Sequence, residues 1–181
     1  RANTEHATVD ATIGHKLGNT GRIFGRAGYF NEARENGTAV QTNDTHLVTG
    51  ALGLDESWNN DSLSLRVYGD AQSYNQSFSS IAADRNSESL TYLQHVPAQQ
   101  LGMSAQWSHV LGKMHTLIGG ADGSEVMGAS DEQIFSSGTH TANSTAGGRQ
   151  RSLGGFAEDI FRFRNKWTVI LRGRFDDWSN F

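Results

Sequence analysis

Cysteine is absent from this 181-residue sequence, which excludes disulfides and thiolate metal sites as supports of the fold. That absence fits an oxidising compartment as well as a reducing one, so it assigns no location. No uninterrupted apolar run reaches the roughly 18 residues a membrane helix requires. Membrane helices are therefore excluded, but membrane strands are not. A spanning strand needs only about 9–11 residues, and only alternate ones meet lipid. Excess basic charge is missing too: the formal net charge is -4, which gives no support for nucleic-acid binding. Hydrophobic residues make up 36% and charged residues 19%, with 21 Gly and a single Pro. Such a composition is as compatible with a polar-lined barrel as with a soluble domain.

What the sequence does contain is alternation with period two, interrupted by turn residues. The first expected strand runs from His6 to Lys16, with Ala7, Val9, Ala11 and Ile13 on one face. Gly18-Asn19-Thr20-Gly21 makes a tight turn into the second, Arg22 to Tyr29. Further strands are expected over His46 to Leu54, from Leu63 to Ala71, over Gln99 to Val110, from His115 to about Met127, and over Ser152 to Phe163. The eighth begins at Trp167 and sets Val169, Leu171, Gly173 and Phe175 against Ile170, Arg172, Arg174 and Asp176. Short turns are expected at Asn59-Asn60-Asp61-Ser62, Leu111-Gly112-Lys113-Met114 and Arg164-Asn165-Lys166. Three polar stretches, Asn31–Thr45, Ser73–Gln94 and Gly128–Gln150, read as long loops.

The order of the connections points to a membrane barrel. Short turns alternate with long polar stretches, as they do where short periplasmic turns oppose long extracellular loops. Arg66, Asp70, Arg172, Arg174 and Asp176 would be costly in a dry sandwich core, whereas a wet or protein-filled lumen accommodates them. Trp58, Trp107, Trp167 and Trp178 fall near strand ends, where an interfacial aromatic girdle is expected. The fold class is accordingly all-β: an antiparallel up-and-down meander of about eight strands of outer-membrane barrel type.

Chemistry finds little purchase. None of the seven His residues (His6, His15, His46, His95, His109, His115, His140) makes a pair at the helical spacing of a zinc site, so no metal site and no cofactor is expected. Asp122-Gly123-Ser124-Glu125 lacks the oxygen ligands of a calcium loop. Asp131-Glu132 and Glu158-Asp159 are strand neighbours, which point to opposite faces and form no acid/base pair. No nucleophile elbow or phosphate loop is present, and no catalytic residue is assigned.

Three segments carry a family resemblance. They are Gly21-Arg22-Ile23-Phe24-Gly25-Arg26-Ala27-Gly28-Tyr29-Phe30-Asn31-Glu32 with Asn36-Gly37-Thr38, then Val96-Pro97-Ala98-Gln99-Gln100-Leu101-Gly102 running to Trp107. The third is Gly154-Gly155-Phe156-Ala157-Glu158-Asp159, followed by Lys166-Trp167-Thr168 and Gly173-Arg174-Phe175-Asp176. This text resembles the barrel of bacterial TonB-dependent outer-membrane receptors, over almost the whole chain and by strand–turn–strand style. The resemblance implies a barrel of about 22 strands, an N-terminal plug, and a TonB-contacting segment before it. It implies import of siderophores, cobalamin or glycans through the bacterial outer membrane. Residues 1–181 would then be a middle portion of that barrel without its plug. Its partners would be outer-membrane lipid and the rest of the receptor, with TonB reached only through the missing N-terminal part. The polar end of Phe181 and the start at Arg1 agree with that expectation.

Within this reading Tyr74, Tyr92, Phe135 and His140 are the candidate ligand contacts on the long loops. Arg66, Arg172 and Arg174 either hold the plug or pair with Asp70 and Asp176 along the wall. An isolated piece exposes two sheet edges, which invite self-association, although eight strands also suffice for a small closed barrel. Two other readings remain. A soluble small barrel binding an apolar ligand would turn its Leu and Val faces inward. A β-rich hydrolase would assemble its site from His and carboxylates on loops.

Overall fold

The computed structural model describes residues 2–163 and 166–181; Arg164 and Asn165 of the expected last turn lie outside them. The chain forms one antiparallel sheet in the order β1-β2-β3-β4-β5-β6-β7-β8. The strands are β1 (Ala2–Leu17), β2 (Gly21–Asn36), β3 (Thr42–Trp58), β4 (Asp61–Ile81), β5 (Glu88–Leu111), β6 (His115–Ser136), β7 (Thr139–Phe163) and β8 (Trp167–Asn180). Each strand pairs with its sequence neighbour, and β1 and β8 are not paired to one another. The sheet is therefore open, and self-closure into a small barrel does not occur. An eight-stranded barrel has an interior only wide enough for packed side chains. The charged and aromatic face of this sheet would overfill it and leave its ions dry.

The short turns form where expected. Gly18, Asn59 and Gly112 take left-handed φ values of 62°, 51° and 65°, which Gly and Asn tolerate best. The three expected long loops are the main correction. Their residues continue the ladders instead: Thr8↔Phe30 through Ala2↔Asn36, Asn43↔Gln76, and Gly128↔Gly148 through Ser136↔Thr139 are all paired. The Ser137-Gly138 turn at the last of these ends has φ of 50° and 78°, as a tight hairpin requires. The physical reason is solvation. Where both faces of a strand meet water, hydrophobic alternation ends although the backbone ladder does not. β7 has 25 residues, or about 80 Å of strand at roughly 3.3 Å each, far more than the hydrocarbon band needs.

Register sorts most side chains by face in the part nearer the short turns; the exceptions on the apolar face include Asp177, opposite Leu153, and the Glu125–Arg149–Arg151 group, one row outward beside Leu101. One row, Gly25–Leu52–Val67–Met103–Gly123–Leu153, runs across six strands on one face. One step along, Arg26–Ala51–Tyr68–Gly102–Ser124–Ser152 lies on the other. No hydrophobic residue is buried among the described residues, and Ile13, Leu52, Leu101, Leu153, Leu171 and Phe175 are 60–78% exposed. That uncovered apolar face has no counterpart layer within the chain.

At the short-turn edge of the apolar face sits an aromatic cluster. His115 stacks on Phe161 at 4.6 Å and Phe161 on Phe163 at 5.4 Å. Trp107 lies over His109 at 5.7 Å, and both bond to Asp61 at 2.9 Å. Trp58 and Trp167 share this face and edge. Trp178 does not: it pairs with Ser152 on the polar face, so it leaves the expected girdle.

Candidate functional site

The polar face carries the groups able to meet a ligand or a plug. Its lower part is a belt of ion pairs that strand pairing assembles from distant positions. Arg26 reaches Asp10 at 3.1 Å across β1 and β2. Arg66 reaches Asp55 at 2.6 Å, and its guanidinium lies 5.0 Å from the Phe24 ring centroid, with Arg22 at 5.2 Å. Arg174 binds both oxygens of Asp122 at 2.8 and 2.9 Å and also Asp176 at 2.6 Å. Because each pair is two-thirds or less exposed but hydrated, it aligns the wall more than it stabilises it.

Within the sheet the arginines have these partners. Arg66 does not pair with Asp70. Four residues of one strand separate them, about 13 Å, and Asp55 of β3 is nearer. Arg174 pairs with Asp176 as one alternative held, with Asp122 of β6 added. Arg172 stands opposite Glu158 in register and joins no ion pair among the described residues.

Aromatic rings cover glycines on the same face. Phe24 lies over Gly53, Tyr68 over Gly102 and Phe156 over Gly120, each pair directly opposed across a ladder. A Cβ at Gly102 would fall inside contact distance of the Tyr68 ring. Each of these pairs links the two strands of a long hairpin, and such ring-over-glycine contacts pin register.

Farther from the short turns the polar face changes character. Tyr74 donates its hydroxyl to Gln76 at 2.8 Å. Phe78 meets Tyr92 edge to face at 6.2 Å. Gln94 donates to Ser130 and to Glu132, both at 3.0 Å. Tyr74 and Tyr92 thus share one face, as two of the four expected ligand contacts. Phe135 and His140 meet each other at 5.6 Å at the tip of the β6–β7 hairpin, with His140 held by Asn143 at 2.9 Å. They stand apart from the tyrosines. Phe78, Gln76 and Gln94 were not singled out by the sequence, because within a presumed loop nothing signals which face a residue occupies.

On the opposite face of the same outer region, β2–β3 and β4–β5 are clasped together. Glu88 accepts hydrogen bonds from Ser79 and from the Val40 N–H, the latter at 3.2 Å. Thr42 N–H donates to Ser77 at 2.9 Å, and Ser77 donates to the Val40 carbonyl. Ser77 is the one buried polar residue among the described residues. The Ser79 hydroxyl first, then Thr38 and the backbone N–H groups of Val40 and Ala39, hold the Glu88 carboxyl below its usual range. The adjacent carboxylates separate as strand geometry demands. Glu132 faces Gln94; Asp159 faces His115 at 2.8 Å on the aromatic edge, with Glu158 on the other side. No group of metal-ligating residues converges among the described residues.

Comparison with known proteins follows this geometry. The family model described as TonB dependent receptor-like, beta-barrel, matches residues 2–181. No curated protein matches the chain. Among solved structures, the ferripyoverdine receptor of the Pseudomonas aeruginosa outer membrane superposes with a TM-score of 0.80 at 11% identity, over 99% of this chain and 31% of that one. The ferric preacinetobactin receptor BauA of Acinetobacter baumannii gives 0.69 at 9% identity, over 99% and 35%. The RagAB peptide importer gives 0.65 at 10% identity, over 98% and 28%. The chain thus spans about a third of the length of the receptors whose fold it shares.

Proposed function

The chain belongs to the TonB-dependent receptor-like β-barrel family, and from that premise we propose that residues 1–181 form one contiguous sector of the wall of an outer-membrane import receptor. The carrying observation is the uncovered apolar face. Leu, Val, Ile and Phe side chains spread over eight strands have no partner layer, while the reverse side at the same level bears ion pairs. A sheet with that contrast is stable where lipid covers one side and a wet or plugged lumen the other. The Trp58, Trp107 and Trp167 edge marks the periplasmic interface, where amphipathic rings settle. The long hairpins stand in the medium.

In this reading β1 and β8 continue into further strands of the same barrel, and a plug supplied by another part of the receptor faces the ion-pair belt. The receptor imports a scarce nutrient of siderophore, cobalamin or glycan type with energy relayed through TonB. The sector itself performs no chemistry. A soluble ligand-binding barrel would need the apolar face turned inward by closure, and the strand order gives no support for that.

Residues 1–181 hold no cysteine, which permits a direct test in cells expressing the whole receptor with any cysteine outside this sector replaced by serine. Single cysteines at Asn86 and Ser137 are expected to react with a membrane-impermeant maleimide on intact cells. One at Lys113 should react only after the outer membrane is opened. One at Leu52, between Gly25 and Val67 on the apolar face, should stay protected in both cases. Labelling of Lys113→Cys from outside, or of Leu52→Cys in an intact membrane, would overturn the orientation.

A further inference from the structure

The polar face is divided by charge, and the division bears on the ligand. Below, cations and carboxylates are interleaved. From the row Thr8–Phe30–Leu47–Gln72 outward, Arg34 is the one cation the strands place on this face among the described residues. It is already paired with Glu32 at 3.0 Å. Arg85 stands off the wall, at the β4–β5 tip beside Asp84. The remaining groups are aromatic rings, amides, hydroxyls, the Glu132 carboxylate, and His6, which stands opposite Glu32 in register. Tyr74, Phe78 and Tyr92 offer ring faces and edges, Gln76 and Asn43 keep their amide N–H donors while their oxygens accept from Tyr74 and Asn36, and Gln94 keeps its carbonyl oxygen as an acceptor.

Resting on the receptor reading, we infer that this sector of the outer lumenal wall receives an uncharged ligand rich in hydroxyl or amide groups, and disfavours polyanions. A polyanionic chelate is recognised by Arg forks or Lys point charges. Here it would meet a carboxylate and a pre-neutralised arginine. Amides satisfy hydroxyl and amide groups in either sense of donation. Tyr and Phe cover apolar ring faces at small entropic cost. The hydrogen bonds from Gln94 to Glu132 and Ser130 leave the Gln94 carbonyl oxygen free to accept.

The test uses the full-length receptor purified from the outer membrane in detergent, its folding established by heat-dependent gel migration. Calorimetry then compares an uncharged ferric trihydroxamate, uncharged maltohexaose and a trianionic ferric tris-catecholate. At least one uncharged probe is expected to bind about tenfold or more tightly than the trianion, with little change between low and high salt. Tyr92→Ala and Gln94→Ala should each weaken that probe roughly fivefold, whereas Gln94→Lys should narrow the gap to the trianion. Tighter binding of the trianion, a steep salt dependence, or binding of neither uncharged probe by the folded receptor would overturn the inference. A protein that never reaches the outer membrane would instead count against the receptor reading.

Discussion

At the scale of single residues, the wall is organised by contacts that only register creates. Arg174 is the strongest case, because it joins β8 to β6 across β7 through two bonds to Asp122. The pair is partly exposed, so solvent screening keeps its contribution small. A double-mutant cycle of Arg174→Ala with Asp122→Ala, read by urea unfolding of the receptor in lipid vesicles, should return a small favourable coupling that shrinks as salt is added. Arg174→Lys should recover only part of it, since an ammonium cannot bind both oxygens in a fork. Gly102 gives a second prediction. A side chain there must displace the Tyr68 ring, so Gly102→Val should cost about 1–3 kcal/mol by overpacking. In the Tyr68→Ala background the same substitution should cost much less, measured in the same assay.

At the scale of the strand, the two faces obey opposite rules. Leu52→Arg, between Gly25 and Val67 on the apolar face, puts a charge against hydrocarbon and should destabilise folding into vesicles by about 2–4 kcal/mol. Ser104→Arg, on the polar face beside Arg66 and Asp122, should cost far less. The hairpin clasp supplies a pH test. Because the folded Glu88 carboxyl is held below its usual value, its contribution is complete above the ordinary carboxylate range and is lost as pH falls through the depressed value. Spin labels at Ala39→Cys and Asp84→Cys should keep a narrow distance distribution at neutral pH and broaden in acid. With Glu88→Gln added, the distribution should be broad throughout. Much of the inner strand pattern was legible in the sequence: Leu63 through Ala71 and Trp167 through Phe175 alternate as a half-buried strand must. The outer thirds were not, since Ser73–Gln94 and Gly128–Gln150 have water on both sides and hydrophobicity carries no period there. For the same reason Tyr74 and Tyr92 could be named as ligand-facing but not placed together, and Phe78 went unnoticed between serines. Trp178 was misplaced because nearness to a strand end does not tell its face.

At the scale of the whole sheet, the unpaired edges decide behaviour. β1 and β8 each present a row of free backbone donors and acceptors, and such edges recruit other strands. Expressed alone in detergent, residues 1–181 should therefore sediment as heterogeneous assemblies. A single compact monomer by analytical ultracentrifugation would contradict that expectation. Under the proposed reading closure comes from further strands of the receptor, and the sector's stability would then be inseparable from theirs.

The continuation of pairing to Ser136↔Thr139 and Ala2↔Asn36 has a consequence for how such a surface can vary. A floppy loop accepts insertions, but a hydrogen-bonded palisade of paired strands does not, because one added residue would turn every side chain beyond it to the wrong side. Change in what this rim recognises must come by exchanging alternate side chains in place, or at the bulges by Phe78/Ser79 and Ile134/Phe135, where the ladder already tolerates an extra residue.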